Sequence, residues 1–258
     1  MMRVIVCVKS VLIVAPKGAV ARSLDVSELN PYDRPALALG LGLAEEAGGE
    51  VVAVSMGPEE VAGDALLEAM ALGASSAALA LDPAFAGSDT LATSTILAAA
   101  VEKLRPFDLL LFGVRTLDSD TGHVGPQTAE RLGLPLVTMA TAVTAGEQGF
   151  LVERKADGYH QTYELDPPGA VTVLPAAAPV IDAPLGGIQT AYAEGVYQKW
   201  SLADLGLSAD EVGLEGSPTR VASITSVSRE RECELLAGTT EEQADELVKR
   251  MQDDGTIG

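Results

Sequence analysis

The chain has 258 residues, 47% of them hydrophobic and 26 of them glycine, a composition that indicates a globular protein with a sizeable core. Its formal net charge of −20 argues against nucleic acid and anionic membranes as partners, because little positive charge is available to neutralise phosphates. The sequence contains no apolar run of the ~18 residues that a membrane span needs, and no secretory signal. Its two cysteines, Cys7 and Cys233, form neither a disulfide framework nor a metal motif. We therefore expect a cytoplasmic protein with one large domain and a tail.

Short apolar runs alternate with helical patterns along the first part of the chain. The predicted strands are Arg3–Val8, Val51–Met56, Ala77–Leu81, Leu109–Phe112 and Leu136–Ala140. Helical patterns begin near Asn30, Pro58, Asp89 and Val124, and Asn30 and Asp89 are residue types that cap helices well. Strands and helices that alternate in this way form βαβ units with a parallel sheet. The pattern predicts a doubly wound, mainly parallel open sheet with the strand order 3-2-1-4-5.

The pattern changes after residue 149. Residues Phe150–Arg154 and Tyr159–Leu165 alternate apolar and polar side chains around an Asp-Gly pair, which predicts a small β-hairpin. A further strand is predicted over Ala170–Leu174, followed by a long loop to about Val196. The chain ends in an extended arm with an amphipathic helix, Thr240–Gln252, whose apolar side chains share one face.

The stretch Gly113–Pro126 follows the fourth predicted strand and leads into a helix. In the predicted order, strands one and four are neighbours where the winding reverses, so a ligand crevice opens between their carboxyl ends, with Cys7 and Lys9 facing this loop. Free N–H groups at the helix start favour an anion such as phosphate, and Gly122 and Gly125 would let backbone approach a ligand. The polar side chains that can bond a ribose, a phosphate or the helix start are Asp118, Ser119, Asp120, Thr121 and His123. The alternative interpretation is a polar turn with helix caps.

Five stretches together resemble the beta subunit of electron-transfer flavoproteins, in order and over nearly the whole chain. They are Asn30–Asp33, Val54–Pro58, Asp82–Thr93, Gly113–Pro126 and Gly213–Val221. The resemblance implies a heterodimer with an alpha subunit, which carries electrons between a flavin-dependent dehydrogenase and an acceptor. It also implies an adenine nucleotide in the crevice: FAD in electron-bifurcating members, which oxidise NADH only within their complexes, or structural AMP in ordinary carriers. Residues Thr121–Pro126 and Gly216–Val221 resemble the bifurcating branch more closely.

The resemblance also implies which residues contact the nucleotide, with no catalytic residue and no metal ligand among them. They are Cys7, Asn30, Pro31, Tyr32, Asp33, Met56, Gly113, Arg115, Asp118, Ser119, Asp120, Thr121, Gly122, His123 and Val124. It divides the chain into a nucleotide-binding domain (residues 1–182), a partner-recognition loop (183–196) and an arm that docks on the alpha subunit (197–258).

The chain departs from the family pattern at several positions. Family members usually have Gln at the position of His123, and their recognition loop carries lysines that Pro184–Gly195 lacks. The apolar run Val11–Ala15 stands where the family has a polar turn, and it predicts either an extended strand or hairpin or a partner-docking surface. The alternative function from another class is a non-redox regulatory module that binds an adenine nucleotide.

Overall fold

The computed structural model describes residues 1–12, 27–146, 148–223 and 233–257. The strands are β1 (Arg3–Cys7), β2 (Ser10–Leu12), β3 (Ser27–Leu29), β4 (Glu50–Met56), β5 (Ser76–Ala80), β6 (Leu109–Gly113), β7 (Leu136–Ala145), β8 (Phe150–Ala156), β9 (Tyr159–Leu165), β10 (Gly169–Val173) and β11 (Gln198–Trp200). The helices are α1 (Asp33–Glu46), α2 (Glu59–Leu72), α3 (Thr90–Glu102), α4 (Val124–Arg131), α5 (Leu185–Glu194) and α6 (Thr240–Asp253). The chain forms two compact units, Met1–Arg220 and Val221–Gly258.

Nine strands of the first unit form one sheet with the order β11-β5-β4-β1-β6-β10-β7-β8-β9. The pairs from β11 to β7 are parallel, and only β7-β8 and β8-β9 are antiparallel. The predicted mainly parallel α/β class is therefore confirmed, together with the hairpin. One detail of the predicted order is wrong, because β10 lies between the fourth and fifth predicted strands. Every residue of β10 is buried, and such a strand is stable only with a neighbour on each side.

The core consists of two apolar layers, one on each face of the sheet. Successive residues of β1 alternate between them: Val4 and Val6 belong to the layer under α1 and α2, and Ile5 to the layer under α3 and α4. Helices on both faces explain why the central strands read as continuous apolar runs. Coverage on both faces leaves the carboxyl edge of the sheet as the place where polar loops gather.

Beside this sheet, β2 and β3 form a two-stranded antiparallel pair. The prediction that Val11–Ala15 extends a strand or hairpin is confirmed for its first residues, and residues 13–26 lie outside the described part. Val11 is fully buried, so its side chain belongs to the packed core of the first unit.

Residues 185–194 form a helix, and the prediction of a loop there is wrong. The glycines that suggested a loop allow close helix packing, since a Cβ on Gly187 would lie 2.3 Å from the backbone oxygen of Ala71 in α2. Ala191 is buried on the same side. After α5, the chain returns to the sheet as β11, so the first unit extends to Arg220 and includes residues that the sequence analysis assigned to the arm.

The second unit contains α6, close to the predicted range. Thr239 and Glu242 form a capping box at its start, and Arg250 pairs with Glu246 and Glu234. Its apolar residues Leu247 and Val248 are 50% and 47% exposed. In the ranges that the structure describes, no helix combines the length and the apolar character that a membrane span needs.

Candidate functional site

Three segments distant in sequence meet at the carboxyl edge of the sheet, as predicted. β1 and β6 pair along their length, with Cys7 opposite Phe112. The segment 30–32 leads into α1, and the segment 114–123 connects β6 to α4. Met56 ends β4, the other neighbour of β1, so it lies on the same edge. The structure thus brings these segments together at the point where the strand order reverses, where we expect the ligand crevice.

Asn30 holds the loop after β6 in place. Its side chain is fully buried, its Nδ2 donates to the backbone oxygen of Arg115 at 2.9 Å, and its Oδ1 accepts from the backbone N–H of Leu117 at 3.2 Å. The prediction that Asn30 caps α1 is wrong, because the helix begins three residues later and Tyr32 occupies the cap position without a side-chain bond. The side chain of Asn30, for which the resemblance implies a nucleotide contact, bonds the backbone of the loop after β6.

Asp33 is also directed into the protein. It is 5% exposed, and its Oδ2 accepts from the backbone N–H of Lys9 at 2.8 Å. Burial raises the pKa of Asp33 to about 7, although the bond from Lys9 and smaller contributions from Asn30 and Gly113 favour the carboxylate. A Cβ on Gly113 would lie 2.4 Å from Asp33 Oδ1, so the strand end requires glycine here. Burial, with a smaller contribution from Asp33, raises the pKa of the Cys7 thiol, which makes it unreactive.

Two ion pairs line the outer part of the crevice. Lys9 Nζ lies 2.8 Å and 2.9 Å from the two carboxylate oxygens of Asp118. Arg115 donates from Nη2 to the Tyr32 hydroxyl at 2.8 Å, and its Nη1 lies 3.2 Å from Asp120 Oδ1. The prediction that Asp118 or Asp120 caps α4 is wrong, since no side chain makes a cap bond there. The two aspartates instead pair with Lys9, just beyond β1, and with Arg115 in the loop.

Gly122 in the loop and Gly125 in the first turn of α4 have different roles. Gly122 has φ +63°, a backbone conformation that residues with a side chain rarely adopt. A Cβ there would lie 3.1 Å from the backbone oxygen of Val114. Gly125 was predicted to admit a ligand. Its Cβ would instead lie 3.1 Å from side-chain atoms of Phe112 and Thr172, so it serves the packing of α4 on the sheet.

The remaining predicted site residues lie on the outer side of the loop or at its junction with α4. Ser119 bonds the hydroxyl of Thr116 at 2.8 Å. Thr121 and His123 are exposed, Val124 opens α4, and Pro31 is exposed beside Tyr32. His123 and Val124 thus lie at the first turn of α4, where backbone N–H groups favour an anion.

Sequence reasoning missed Met139. It has φ +60°, its side chain is 43% exposed, and its N–H donates to Thr172 Oγ1 at 2.9 Å. The pairing register between β7 and β10 shifts at this point, so a bulge turns Met139 out at the carboxyl edge of the sheet. A left-handed conformation is uncommon for methionine, and nothing in the local sequence indicates it.

The motif Gly216–Val221 does not reach the crevice but holds the end of the first unit. Asp89 Oδ1 caps α3 by accepting from Leu91 and Ala92, as predicted for this residue. Its Oδ2 accepts from the N–H and hydroxyl of Thr219 at 3.0 Å and 2.7 Å. Ser217 Oγ accepts from the N–H of Asp89 at 2.8 Å. The motif therefore fastens residues 217–219 to the start of α3.

The fold and the crevice define a doubly wound α/β protein with its polar loops at the reversal of strand order. Among the residues described, no cluster of three or more His, Cys, Asp or Glu side chains is placed to hold a metal. A family model described as "Electron transfer flavoprotein domain" matches residues 17–204. The chain therefore belongs to the electron transfer flavoprotein family.

Relatives over nearly the full chain assign it to the beta subunits of that family. It is 36% identical over 225 residues to "Electron transfer flavoprotein subunit beta" of Thermoanaerobacterium thermosaccharolyticum, covering 87% of this chain and 86% of that protein. It is 35% identical over 260 residues to "Caffeyl-CoA reductase-Etf complex subunit CarD" of Acetobacterium woodii, covering 98% of each. It is 36% identical over 269 residues to "Protein FixA" of Rhizobium meliloti, covering 96% of this chain and 90% of that protein.

Proposed function

We propose that the crevice binds an adenine nucleotide and that the chain works as a cytoplasmic electron carrier together with an alpha subunit. One observation carries this proposal: the ends of β1 and β6, the turn before α1 and the start of α4 converge on one space. The N–H groups at the start of α4 suit a phosphate, and Gly122, shortly before that helix, has a left-handed backbone conformation that favours glycine. The side chains of Asn30 and Asp33 hold the loops in place, while residues 119–124 face the ligand.

We propose FAD as the nucleotide, in a flavin-based bifurcating complex that accepts electrons from NADH. The resemblance of Thr121–Pro126 to the bifurcating branch supports this assignment. The Arg115 side chain is 46% exposed at the mouth of the crevice, where its charge would stabilise a reduced, anionic flavin. A bound FAD would supply electron transfer, and this chain's residues would bind and orient it. The relative named for a caffeyl-CoA reductase complex is consistent with a reductase as the dehydrogenase partner.

Two surfaces of the chain fit the proposed protein partners. The α5 helix exposes 86% of Leu185 and 40% of Ile188, and we assign it to dehydrogenase docking in place of a lysine-rich loop. The second unit, Val221–Gly258, carries the exposed apolar residues of α6, which need a surface that covers them. We assign that unit to contact with the alpha subunit.

The test is to purify the chain with its alpha subunit and identify the released nucleotides by mass spectrometry. Two flavins per heterodimer, both reduced by NADH, are the expected result. One flavin with stoichiometric AMP would show that the protein is an ordinary electron carrier and not a bifurcating one. A heterodimer without any nucleotide in this subunit would refute the crevice as the binding site. A nucleotide-loaded chain that never exchanges electrons would make it a regulatory module.

A further inference from the structure

One ion pair connects the two strand ends that border the crevice. Lys9 lies just beyond β1, and Asp118 lies in the loop after β6, 109 positions further along the chain. The Nζ atom of Lys9 is 2.8 Å from one carboxylate oxygen of Asp118 and 2.9 Å from the other. Because β1 and β6 are neighbours in the sheet, this pair joins the end of one strand to the loop that follows the other.

The backbone of Lys9 is bonded through both of its polar groups. Its N–H donates to Asp33 Oδ2 at 2.8 Å, and its carbonyl oxygen accepts from the N–H of Asn30 at 2.8 Å. The lysine side chain therefore extends from a fixed point on the β1 side of the crevice. Pairing with Asp118 then costs only the conformational freedom of the side chain itself.

On the other side of the crevice, Asp118 lies within a turn of residues 116–120 that the loop's own polar groups close. The N–H of Asp120 donates to the carbonyl oxygen of Thr116 at 3.0 Å, and the hydroxyls of Thr116 and Ser119 lie 2.8 Å apart. The buried side chain of Asn30 fixes the backbone at the beginning of this turn. The Asp118 side chain is only 13% exposed, so its charge requires a counter-charge.

The second ion pair of the crevice differs in both location and exposure. Arg115 and Asp120 belong to the same loop, and their side chains are 46% and 61% exposed. An ion pair between exposed side chains contributes little to stability, and a pair within one loop does not tie that loop to another element. The pair of Lys9 and Asp118 is therefore the one that can hold the loop against β1.

We propose that Lys9 and Asp118 are positioning residues whose ion pair holds the loop 114–123 against the end of β1, so that nucleotide binding depends on the two charges as a unit. This inference rests on the proposed function for its ligand. It differs from the role that the resemblance implies for Asp118, which is direct contact with the nucleotide. Direct contacts would make the effects of the two residues independent, whereas a positioning pair makes them one shared effect.

The test measures binding of AMP, and separately of FAD, to nucleotide-free heterodimers by calorimetry. K9M and D118N should each lower the affinity by about fivefold, the upper end for a partly exposed ion pair, and K9M/D118N should lower it no further. The reversed pair K9D/D118K should recover most of the affinity, because it restores two opposite charges. Losses that multiply in K9M/D118N, affinities equal to wild type in both single variants, or a reversed pair that binds no better than K9M/D118N would overturn the inference.

Glu50→Gln is the matched control. Glu50 pairs with Arg3 at 2.9 Å, and the two side chains are 30% and 31% exposed, so E50Q also breaks a partly exposed ion pair of β1. This pair lies at the amino end of β1, opposite to the end that borders the crevice. E50Q should lower Tm to a similar extent as D118N and keep the affinity of wild type. An equal loss of affinity in E50Q would assign the effect to general stability and refute the role of the pair.

A measurement without nucleotide separates this inference from the proposed function. K9M and D118N should speed hydrogen exchange at the Asp120 amide, which closes the turn around Asp118, and K9M/D118N should speed it no further. E50Q should leave this exchange unchanged. If neither nucleotide binds wild type, the proposed function fails while this result still stands. Exchange at Asp120 that is the same in K9M, D118N and wild type would refute the inference itself.

Discussion

The substitution Gly122→Val tests whether the loop after β6 is the nucleotide cradle, and Gly133→Val is its matched control. Both glycines have nearly the same left-handed conformation, with φ +63° and +64°. A side chain in that conformation costs about 1–2 kcal/mol. At Gly133 a Cβ meets nothing within 4 Å, whereas at Gly122 it lies 3.1 Å from the backbone oxygen of Val114 in the proposed nucleotide loop. The two variants should therefore lose similar stability, by about 2–8 °C in Tm, and differ in ligand binding.

The assay compares Tm by calorimetry and nucleotide content by mass spectrometry for the two purified heterodimers. We expect G122V to lose its nucleotide and G133V to retain it. Equal nucleotide content in the two variants would refute the reasoning, because it would show that the backbone at Gly122 does not approach the ligand. A Tm far lower for G122V than for G133V would instead mean that the loop is part of the core.

Three further predictions concern other parts of the chain. Asp89→Ala should lower the free energy of unfolding by about 1–2 kcal/mol and speed hydrogen exchange at the Thr219 amide. Unchanged exchange at Thr219 would show that Asp89 does not bond it. The pKa of Asp33 is raised from 3.8 to about 7, so its ionisation lowers the stability of the wild type as the pH rises through that window. In denaturant titrations, the free energy of unfolding of D33N should therefore rise relative to that of the wild type by up to ~4 kcal/mol between pH 4 and pH 7. A difference that stays constant with pH would contradict the raised pKa. Leu185→Asp should slow electron transfer from the dehydrogenase in stopped-flow measurements without changing Tm. The control Val180→Asp, also exposed but outside α5, should leave the rate unchanged. Equal rates for the two variants would exclude α5 as the docking helix.

Features that depend on local sequence were predictable. The Asp157-Gly158 pair has φ +52° and +80°, as a tight hairpin turn requires, and a two-residue Asp-Gly turn between alternating strands is a strong signal for it. Asp89 caps α3 because its short carboxylate reaches the N–H groups two and three residues on. The convergence of β1 and β6 followed from the handedness of the crossovers alone.

Features that depend on distant packing were not. Gly187 lowers the helix propensity of α5, and only the approach to α2 shows why a glycine stands there. Asn30 has the residue type of a helix cap, but its side chain bonds a loop 85 residues away. Met139 adopts its left-handed conformation because a shifted register beside β10 turns it outward, and register is a property of two strands together. The roles of Asn30 and Asp33 as supports for the loop could therefore be found only with the structure.

The position of β10 sets the order in which the protein can be completed during synthesis. β6 and β7 emerge from the ribosome before it, and within the described residues they do not pair with each other but are joined through the backbone ladders of residues 169–173. Until then the growing chain holds two separate pieces of sheet, each with an open edge. The first residue of the crevice loop, Val114, also bonds the carbonyl of Val173. The wall of the crevice is thus finished only after β10 has been made, and until then the facing edges of β6 and β7 stay unpaired.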